Sequence, residues 1–339
     1  MDIHTEATNG LPVNENSPRS ALRKRLRSHF LPQTTPRDDH ADDCAALQQS
    51  ALALGPTFQR ILNVFLDNLT ATGTTTSAPL IIAGRAMMEK NFQRILMAER
   101  IRALALDPEP GETEAALELR RGNETQRNAN QRFEEEIKKQ ENAALLVDEI
   151  AYFLLNLHKT PEVQSLAHEL LLQGLVSIWS AFEVFAKDTL IALINNKPTL
   201  AQNILSDPTA RDRFRMPKFG IDDLQAHDFD LTGKIGVILL ASVDFSNLRT
   251  IHLACNAMFS NTELAQSLST GPLQELNQAR HLIVHRRAII DKDFHALLPE
   301  KGEIGNKLSI EPSEVASAMT AAITASRQLF AIAAITATR

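Results

Sequence analysis

Two histidines and three arginines fall within eight residues in the last quarter of the chain. They form the run Arg280-His281-Leu282-Ile283-Val284-His285-Arg286-Arg287. Histidines four positions apart share one face of an α-helix, whereas Arg280 and His285, five positions apart, lie about 140° apart around it. Two such side chains flank a groove in which a guanidinium can bind a phosphate and an imidazole can transfer a proton.

The residue types alone leave three interpretations of this run open. The histidine pair could pack in a helical core, with carboxylates as partners. It could bind zinc, as histidines at this spacing can, although no glutamate follows the first histidine and three arginines would repel a cation. The third interpretation is phosphate chemistry without a metal, and the arginines favour it.

The run resembles the nuclease motif of HEPN domains, helical modules in which a histidine follows an arginine after four to six residues. A polar residue commonly comes directly after that arginine. Arg280, His281 and His285 stand in this arrangement, and the following Ala288-Ile289-Ile290-Asp291 is similar to the family's usual continuation. The apolar helix predicted at Gly174–Ile194 is similar to the family's first helix. The resemblance covers about half of the chain.

The resemblance implies a metal-independent endoribonuclease, without a cofactor, that leaves a 2′,3′-cyclic phosphate. His285 would act as general acid or base, Arg280 would bind the scissile phosphate, and His281 would orient Arg280 or support the site. Glu183 matches a glutamate common in the family's first helix. It would partner Arg280 or His285, or else form a routine ion pair. Because HEPN motifs usually meet across a two-fold interface, a homodimer with a composite site is expected.

Two further arginines and the overall charge bear on the choice of function. Arg286 and Arg287 either extend the phosphate-binding groove for RNA or form an exposed basic edge. An intact Arg280–His285 pair favours an enzyme, which in this family suggests a toxin or anti-phage defence effector. The alternative is a catalytically silent HEPN scaffold that binds a partner protein or a nucleotide. The net charge of -6, without a broad basic face, favours that scaffold or a nuclease inactive until triggered. A plain helical assembly protein would rest on the apolar stripe Leu47–Leu69 alone.

The segments that must position this motif are all predicted to be helices. The apolar residues are mainly helix formers, and no alternating β-branched run occurs. We therefore predict an all-α fold, with a HEPN-like domain at 161–336. An additional helical region at 44–160 would sense, regulate or assemble. Residues 1–43 show no sustained period and are predicted to be a disordered tail. The polar stretch 113–141 is predicted to be a projecting helix or a tether.

The apolar segments and the cysteines also predict the cellular compartment of the protein. No apolar segment of a secretion signal occurs near the N-terminus. Polar residues, Arg327 among them, interrupt the apolar stretch Ala316–Thr336, so a packed helix is expected there rather than a membrane span. Cys44 and Cys255 are far apart in sequence and require no oxidising compartment. The sequence thus predicts a cytoplasmic protein with an RNA substrate, no membrane contact, and a regulatory or sensor protein as a candidate partner.

Overall fold

Helices form the regular structure of the computed structural model, which describes residues 18–32, 36–214, 220–260, 264, 268 and 271–338. These residues contain no β-strand, and the isolated bridge found among them pairs Ile289 with Lys307. The predicted all-α fold is therefore confirmed for the described residues, whereas a HEPN-type arrangement of the helices stays a prediction.

The helices follow one another along the chain. In order they are α1 Pro18–Arg27, α2 Pro36–Asp39, α3 Ala41–Leu54, α4 Pro56–Thr76, α5 Ala78–Ala103, α6 Glu114–Lys138, α7 Gln140–Leu157, α8 Pro161–Asn196, α9 Thr199–Ser206, α10 Pro208–Arg211, α11 Ile221–Ala226, α12 Ile235–Leu240, α13 Leu248–Phe259, α14 Pro272–Arg286, α15 Lys292–Leu297 and α16 Pro312–Thr338. Helix α14 carries the motif.

The chain divides into two compact units, each assembled from two separate segments. The first unit comprises Met1–Gln33 and Ser77–Ala167, and the second comprises Thr34–Thr76 and His168–Arg339. This division differs from the predicted boundary at residues 160 and 161. Helices α3 and α4, predicted to lie outside the motif-bearing domain, belong to the unit that contains α14.

The core of the first unit is built from α1, α5, α7 and the residues around them. Its buried side chains are Leu26, Phe30, Ala83, Met87, Ile150, Ala151, Leu154, Leu155 and Ala167. Asp148 on α7 binds the Nε atoms of Arg23 at 3.0 Å and Arg19 at 3.2 Å. Helix α1 is therefore held on α7 by both apolar burial and ion pairs.

The prediction of a disordered tail at 1–43 is wrong for the part of it that the structure describes. Residues 18–27 form α1, residues 36–39 form α2, and α3 begins at Ala41. Helix α1 spans ten residues and is rich in arginine, so its few apolar side chains give no periodic pattern long enough to recognise. The rest of the predicted tail, residues 1–17 and 33–35, lies outside the described residues.

Helix α6 occupies the polar stretch that was predicted to project or to act as a tether. Its Arg132 Nη1 lies 3.0 Å from the carboxylate of the buried Glu99 on α5. The ring of its Phe133 meets that of Phe92 edge-on, with centroids 5.4 Å apart. Polar pairs therefore form part of the contact between α6 and α5. Such pairs leave no apolar stripe of the kind by which a packed helix is usually recognised.

The core of the second unit contains aromatic rings from both of its segments. The ring centroid of Phe65 on α4 lies 4.7 Å from that of Phe185 on α8. Phe185 in turn lies 4.7 Å from Phe330 on α16, and Phe330 lies 6.0 Å from Phe58 on α4. These rings are essentially inaccessible to water. Helix α4 therefore supplies part of the core on which the motif-bearing segment folds.

Two helices are long and apolar enough to cross a membrane by those two measures. They are Pro161–Asn196, in which 56% of the most apolar window is buried, and Pro312–Ala337, in which 50% is buried. Burial to this extent is also what the core helix of a globular unit shows, and Phe185 and Phe330 come from these two helices.

Candidate functional site

Helix α14 is delimited by local signals on both sides of the motif. Gly271, with a positive φ of 75°, precedes it, and Pro272 stands at the favoured first position. The helix ends at Arg286, after which Arg287 adopts a left-handed conformation with φ 54° and its N–H donates to the Leu282 carbonyl. His285 consequently lies in the last turn, where the chain is about to leave the helix.

The two faces of α14 differ sharply in exposure. Leu282 and Ile283 are buried, whereas His281, Val284 and His285 are exposed. The rings of the two histidines lie beside each other, with centroids 4.6 Å apart and planes inclined by 47°. Since both imidazoles face solvent, the interpretation of this pair as part of a helical core is wrong.

Arg280 is the partly buried member of the motif. Its Nε atom is inaccessible to solvent and has no hydrogen-bond partner among the described residues. Two carboxylates, Glu183 on α8 and Asp244 in the loop between α12 and α13, interact electrostatically with Arg280. Within the described residues neither carboxylate forms a direct ion pair with it, so the guanidinium keeps donors available for an anion.

The two carboxylates beside Arg280 have pKa values displaced in opposite directions. Burial raises the pKa of Glu183, and the negative charge of Asp244 acts in the same direction, while Arg280 opposes both. Hydrogen bonds from Ser246 hold the pKa of Asp244 below its ordinary value, and the charges of Arg213 and Arg280 add to this effect. Asp244 therefore retains its negative charge more readily than Glu183 does.

A buried amide fixes the loop that carries Asp244. Asn277, one turn before Arg280 on α14, donates from Nδ2 to the Ser246 carbonyl at 3.0 Å and accepts from the Leu248 N–H at 3.4 Å. The Ser246 N–H donates to Asp244 Oδ1 at 2.9 Å. The same helix that presents Arg280 thus also determines where Asp244 stands.

An aromatic side chain secures the same loop from the α8 side. Phe245 is buried, and the Lys187 ammonium lies 5.7 Å from the centroid of its ring. Lys187 is one helical turn after Glu183, so the helix that carries Glu183 also contacts this loop. The loop is consequently fixed by two helices.

Arg286 and Arg287 occupy different environments, although both are exposed. Arg286 Nε lies 3.8 Å from Asp291 Oδ2, a long and exposed ion pair of small energetic value. Arg287 belongs to a left-handed turn that continues through Ala288, with φ 61°. The turn directs the chain away from the helix axis, and Ile290 N–H then bonds the Asn306 carbonyl at 2.9 Å.

Arg280, His281 and His285 lie on one helix, and the charge of Glu183 on α8 interacts with that of Arg280. The roles that the sequence assigns to these four residues stay predictions. Sequence reasoning missed Asp244, Asn277 and Arg213. The one signal within reach was the position of Asn277, a polar residue three before Arg280 on the predicted helix. Nothing in the local sequence indicates that the charge of Asp244 interacts with those of Arg213 and Arg280.

No group of three or more histidine, cysteine, aspartate or glutamate side chains with metal-binding geometry occurs among the described residues. Comparison of the chain with protein-family models, with curated proteins and with solved structures found no match.

Proposed function

We propose that this protein is a metal-independent endoribonuclease of the HEPN type, with Arg280 and His285 as its catalytic residues. One observation carries the proposal: the buried Nε of Arg280 has no hydrogen-bond partner in the part of the chain that the structure describes, and a solvent-exposed imidazole pair stands on the same helix. Arginines that are partly buried and not directly paired with a carboxylate are suited to bind phosphate. His285 adds a group that can transfer protons near neutral pH.

The reaction is a transfer of the phosphoryl group within the RNA strand. A ribose 2′-oxygen attacks the adjacent phosphorus and loses its proton to a base, while the bond from phosphorus to the 5′-oxygen breaks and that oxygen gains a proton. The products are a 2′,3′-cyclic phosphate and a 5′-hydroxyl. His285 provides the proton transfer, and Arg280 stabilises the negative charge that develops on the phosphoryl oxygens.

Supporting roles in this proposal fall to the residues around the pair. Glu183 and Asp244 orient the Arg280 guanidinium without neutralising it through a direct ion pair. His281 stands against His285 and limits the orientations available to that ring. The exposed Arg286 and Arg287 extend the groove for RNA phosphates beyond the scissile one.

A homodimer is part of the proposal, because one chain presents a single His285. Proton removal from the 2′-hydroxyl and proton donation to the leaving oxygen are then carried out by the histidines of two copies. The exposure of Val284, 48% of whose surface faces solvent between the two histidines, supports this arrangement. A second copy of α14 would cover that apolar side chain.

The biological role proposed is that of a cytoplasmic toxin or anti-phage defence effector acting on RNA. The first unit would then sense, regulate or assemble, through a partner protein or a second copy of the chain. The net charge of -6 fits a nuclease that binds its RNA at a local basic groove rather than through a wide basic surface.

The proposal is tested with the purified full-length chain and single-stranded or tRNA-like RNA in the presence of EDTA. The wild type is expected to cleave, and the cleaved ends are expected to carry 2′,3′-cyclic phosphate. His285→Ala should lower the rate about 10²–10⁴-fold, the usual effect of losing a general acid–base, and Arg280→Ala should also abolish cleavage. Matched controls are His252→Ala and Arg60→Ala, which remove a histidine and an exposed arginine elsewhere in the second unit. Activity that requires a divalent ion, or equal activity in all variants, would contradict the mechanism.

A catalytically silent HEPN scaffold that binds a partner protein or a nucleotide is the second candidate. The mild negative charge without a broad basic face favours it. In that case no RNA is cleaved under any condition, yet Arg280→Ala still weakens binding of the partner or nucleotide. Induced expression separates the two functions in cells: the nuclease arrests growth and degrades RNA, and His285→Ala does neither.

A further inference from the structure

The exposed histidine pair of α14 has the geometry of a two-ligand metal chelate. We infer that His281 and His285 together bind one divalent transition-metal ion of borderline softness, of the class of Cu²⁺ and Zn²⁺. The first support is spacing, because side chains four positions apart on a helix project in nearly the same direction. The second is accessibility, since both rings are exposed and an ion can reach them directly from solvent.

The separation of the two rings fits a shared ion. Zinc–nitrogen bonds of about 2.0–2.1 Å hold two nitrogens of a tetrahedral site about 3.4 Å apart. The ring centroids lie 4.6 Å apart with planes inclined by 47°, so the rings are neighbours that are not stacked face to face. Rotation about side-chain bonds is enough to direct one nitrogen of each ring at the same ion, and the helix backbone need not move.

The arginines around the pair reduce the affinity of the site without excluding an ion. Arg280 interacts with the charges of Glu183 and Asp244, and Arg286 lies 3.8 Å from Asp291. Arg287 is exposed, so water and salt screen its charge. The bond from imidazole to a borderline metal is directional and partly covalent, and copper and zinc prefer imidazole whereas magnesium prefers oxygen.

The site is expected to bind reversibly rather than to stabilise the fold. Among the described residues no third histidine, cysteine or carboxylate joins the pair to complete a coordination shell. Water must therefore fill the remaining positions around the ion. Structural zinc sites, in contrast, are closed by four protein ligands. A site with two ligands and open positions loads and releases its ion according to the metal concentration.

Occupation of this site would inhibit cleavage, a consequence that rests on the proposed function. An imidazole nitrogen that is bonded to a metal cannot accept or donate a proton, so His285 loses its catalytic role while the ion is present. EDTA would then raise the activity of a metal-loaded preparation. This outcome is the reverse of what a metal-dependent nuclease shows.

Binding is measured first, because it requires no RNA and no activity. The untagged full-length chain, freed of metal, is titrated with Cu²⁺, Zn²⁺ and Mg²⁺ by calorimetry, and the Cu²⁺ complex is examined by electron paramagnetic resonance. The variants are His281→Gln and His285→Gln, with His252→Gln on α13 as the matched control. One Cu²⁺ per chain with two nitrogen ligands is expected, with weaker Zn²⁺ binding and none of Mg²⁺. Each of the two variants should weaken binding at least about tenfold, since even residues behind metal ligands typically change affinity about 10–100-fold.

The outcomes test metal binding by the histidine pair separately from the proposed nuclease function. Only the predicted inhibition by metal rests on that function. If both variants bind copper as the wild type does, or if only one histidine matters, the chelate is wrong whatever the activity. If the pair binds metal and the wild type cleaves RNA, adding Zn²⁺ should suppress cleavage and EDTA should restore it. Stimulation by Zn²⁺ would overturn the inhibition. Metal binding by the pair without any cleavage supports the chelate and contradicts the nuclease.

Discussion

The side-chain amide of Asn277 donates a hydrogen bond of 3.0 Å to the backbone carbonyl of Ser246. The bond joins the motif helix to a loop that lies 31 positions earlier in the chain. Asn277 is buried, with 6% of its surface exposed, and its Oδ1 also accepts the Leu248 N–H. One side chain therefore satisfies two backbone groups close in sequence to Asp244, whose charge interacts with that of Arg280.

Replacement of Asn277 by alanine should weaken both stability and catalysis. The change leaves the Ser246 carbonyl and the Leu248 N–H without partners, which costs about 1–3 kcal/mol for each buried group. Asp244 is then no longer held against Arg280, so the rate of RNA cleavage should fall more than the loss of folded protein accounts for. Urea unfolding and single-turnover cleavage measure the two effects. Asn256→Ala, at an exposed position of α13, is the control, and an equal effect there would refute this role.

The raised pKa of Glu183 predicts how stability depends on pH. Its pKa in the folded protein lies above the ordinary value of 4.5, mainly because burial disfavours the carboxylate. The folded state therefore binds more protons than the unfolded state as pH rises above 4.5, and stability falls across that window. Glu183→Gln removes the charge, so the variant should gain stability over the wild type as pH rises and match it at low pH.

Unfolding of this variant by urea at about pH 4 and about pH 8 checks the direction. Glu300→Gln, at an exposed position, serves as the control and should show no such trend. The same Glu183→Gln protein tests the supporting role of the residue in catalysis. A gain in stability combined with slower RNA cleavage is expected, because the neutral amide no longer orients Arg280. Unchanged cleavage would assign Glu183 to the fold alone.

A glycine on α12 allows that helix to approach α8 closely. A Cβ atom at Gly236 would lie 2.3 Å from the Ile191 carbonyl oxygen, and the Gly236 N–H donates to Asn195 Oδ1 at 2.7 Å. Since the obstructing atom belongs to the backbone, Gly236→Ala should destabilise the protein by about 1–3 kcal/mol, the usual cost of overpacking. Gly122→Ala on α6 is the matched control, and the opposite effect on stability is expected for it. Its Cβ would meet nothing within 4 Å, and the higher helix propensity of alanine should stabilise by up to about 1 kcal/mol.

The assignment of α4 to the motif-bearing unit is tested by two adjacent residues. Phe65 is 1% exposed and packs on Phe185, whereas Val64 is 52% exposed. Phe65→Ala should cost about 3–5 kcal/mol, and Val64→Ala should stay within about 0.5 kcal/mol.

A fragment that begins at Val147 lacks α3 and α4, which belong to the motif-bearing unit. It should therefore lack a cooperative unfolding transition and bind hydrophobic dyes. A stably folded fragment would restore the boundary predicted at residue 160.

The amino-acid sequence determined the local features of the motif helix. Pro272 after a glycine predicts where the helix begins, and the four-residue spacing of His281 and His285 places both rings on one face whatever surrounds them. These features depend only on backbone geometry within a few turns, which is why the all-α class and the neighbouring motif residues could be predicted. Glu183 was predicted through a family resemblance, and its proximity to Arg280 is a feature of the structure.

Only the tertiary structure decided what covers each face and which distant residues meet. An apolar stripe on α4 shows that one side is buried, but it does not say that Phe65 packs on Phe185 and Phe330 instead of within an N-terminal domain. Polar contacts are harder still, because hydrogen bonds such as that of Asn277 with Ser246 leave no periodic pattern. The sequence around Arg280 therefore does not indicate that its charge interacts with that of Asp244. That environment arises because the packing of α8, α14 and the loop before α13 brings separate charges together.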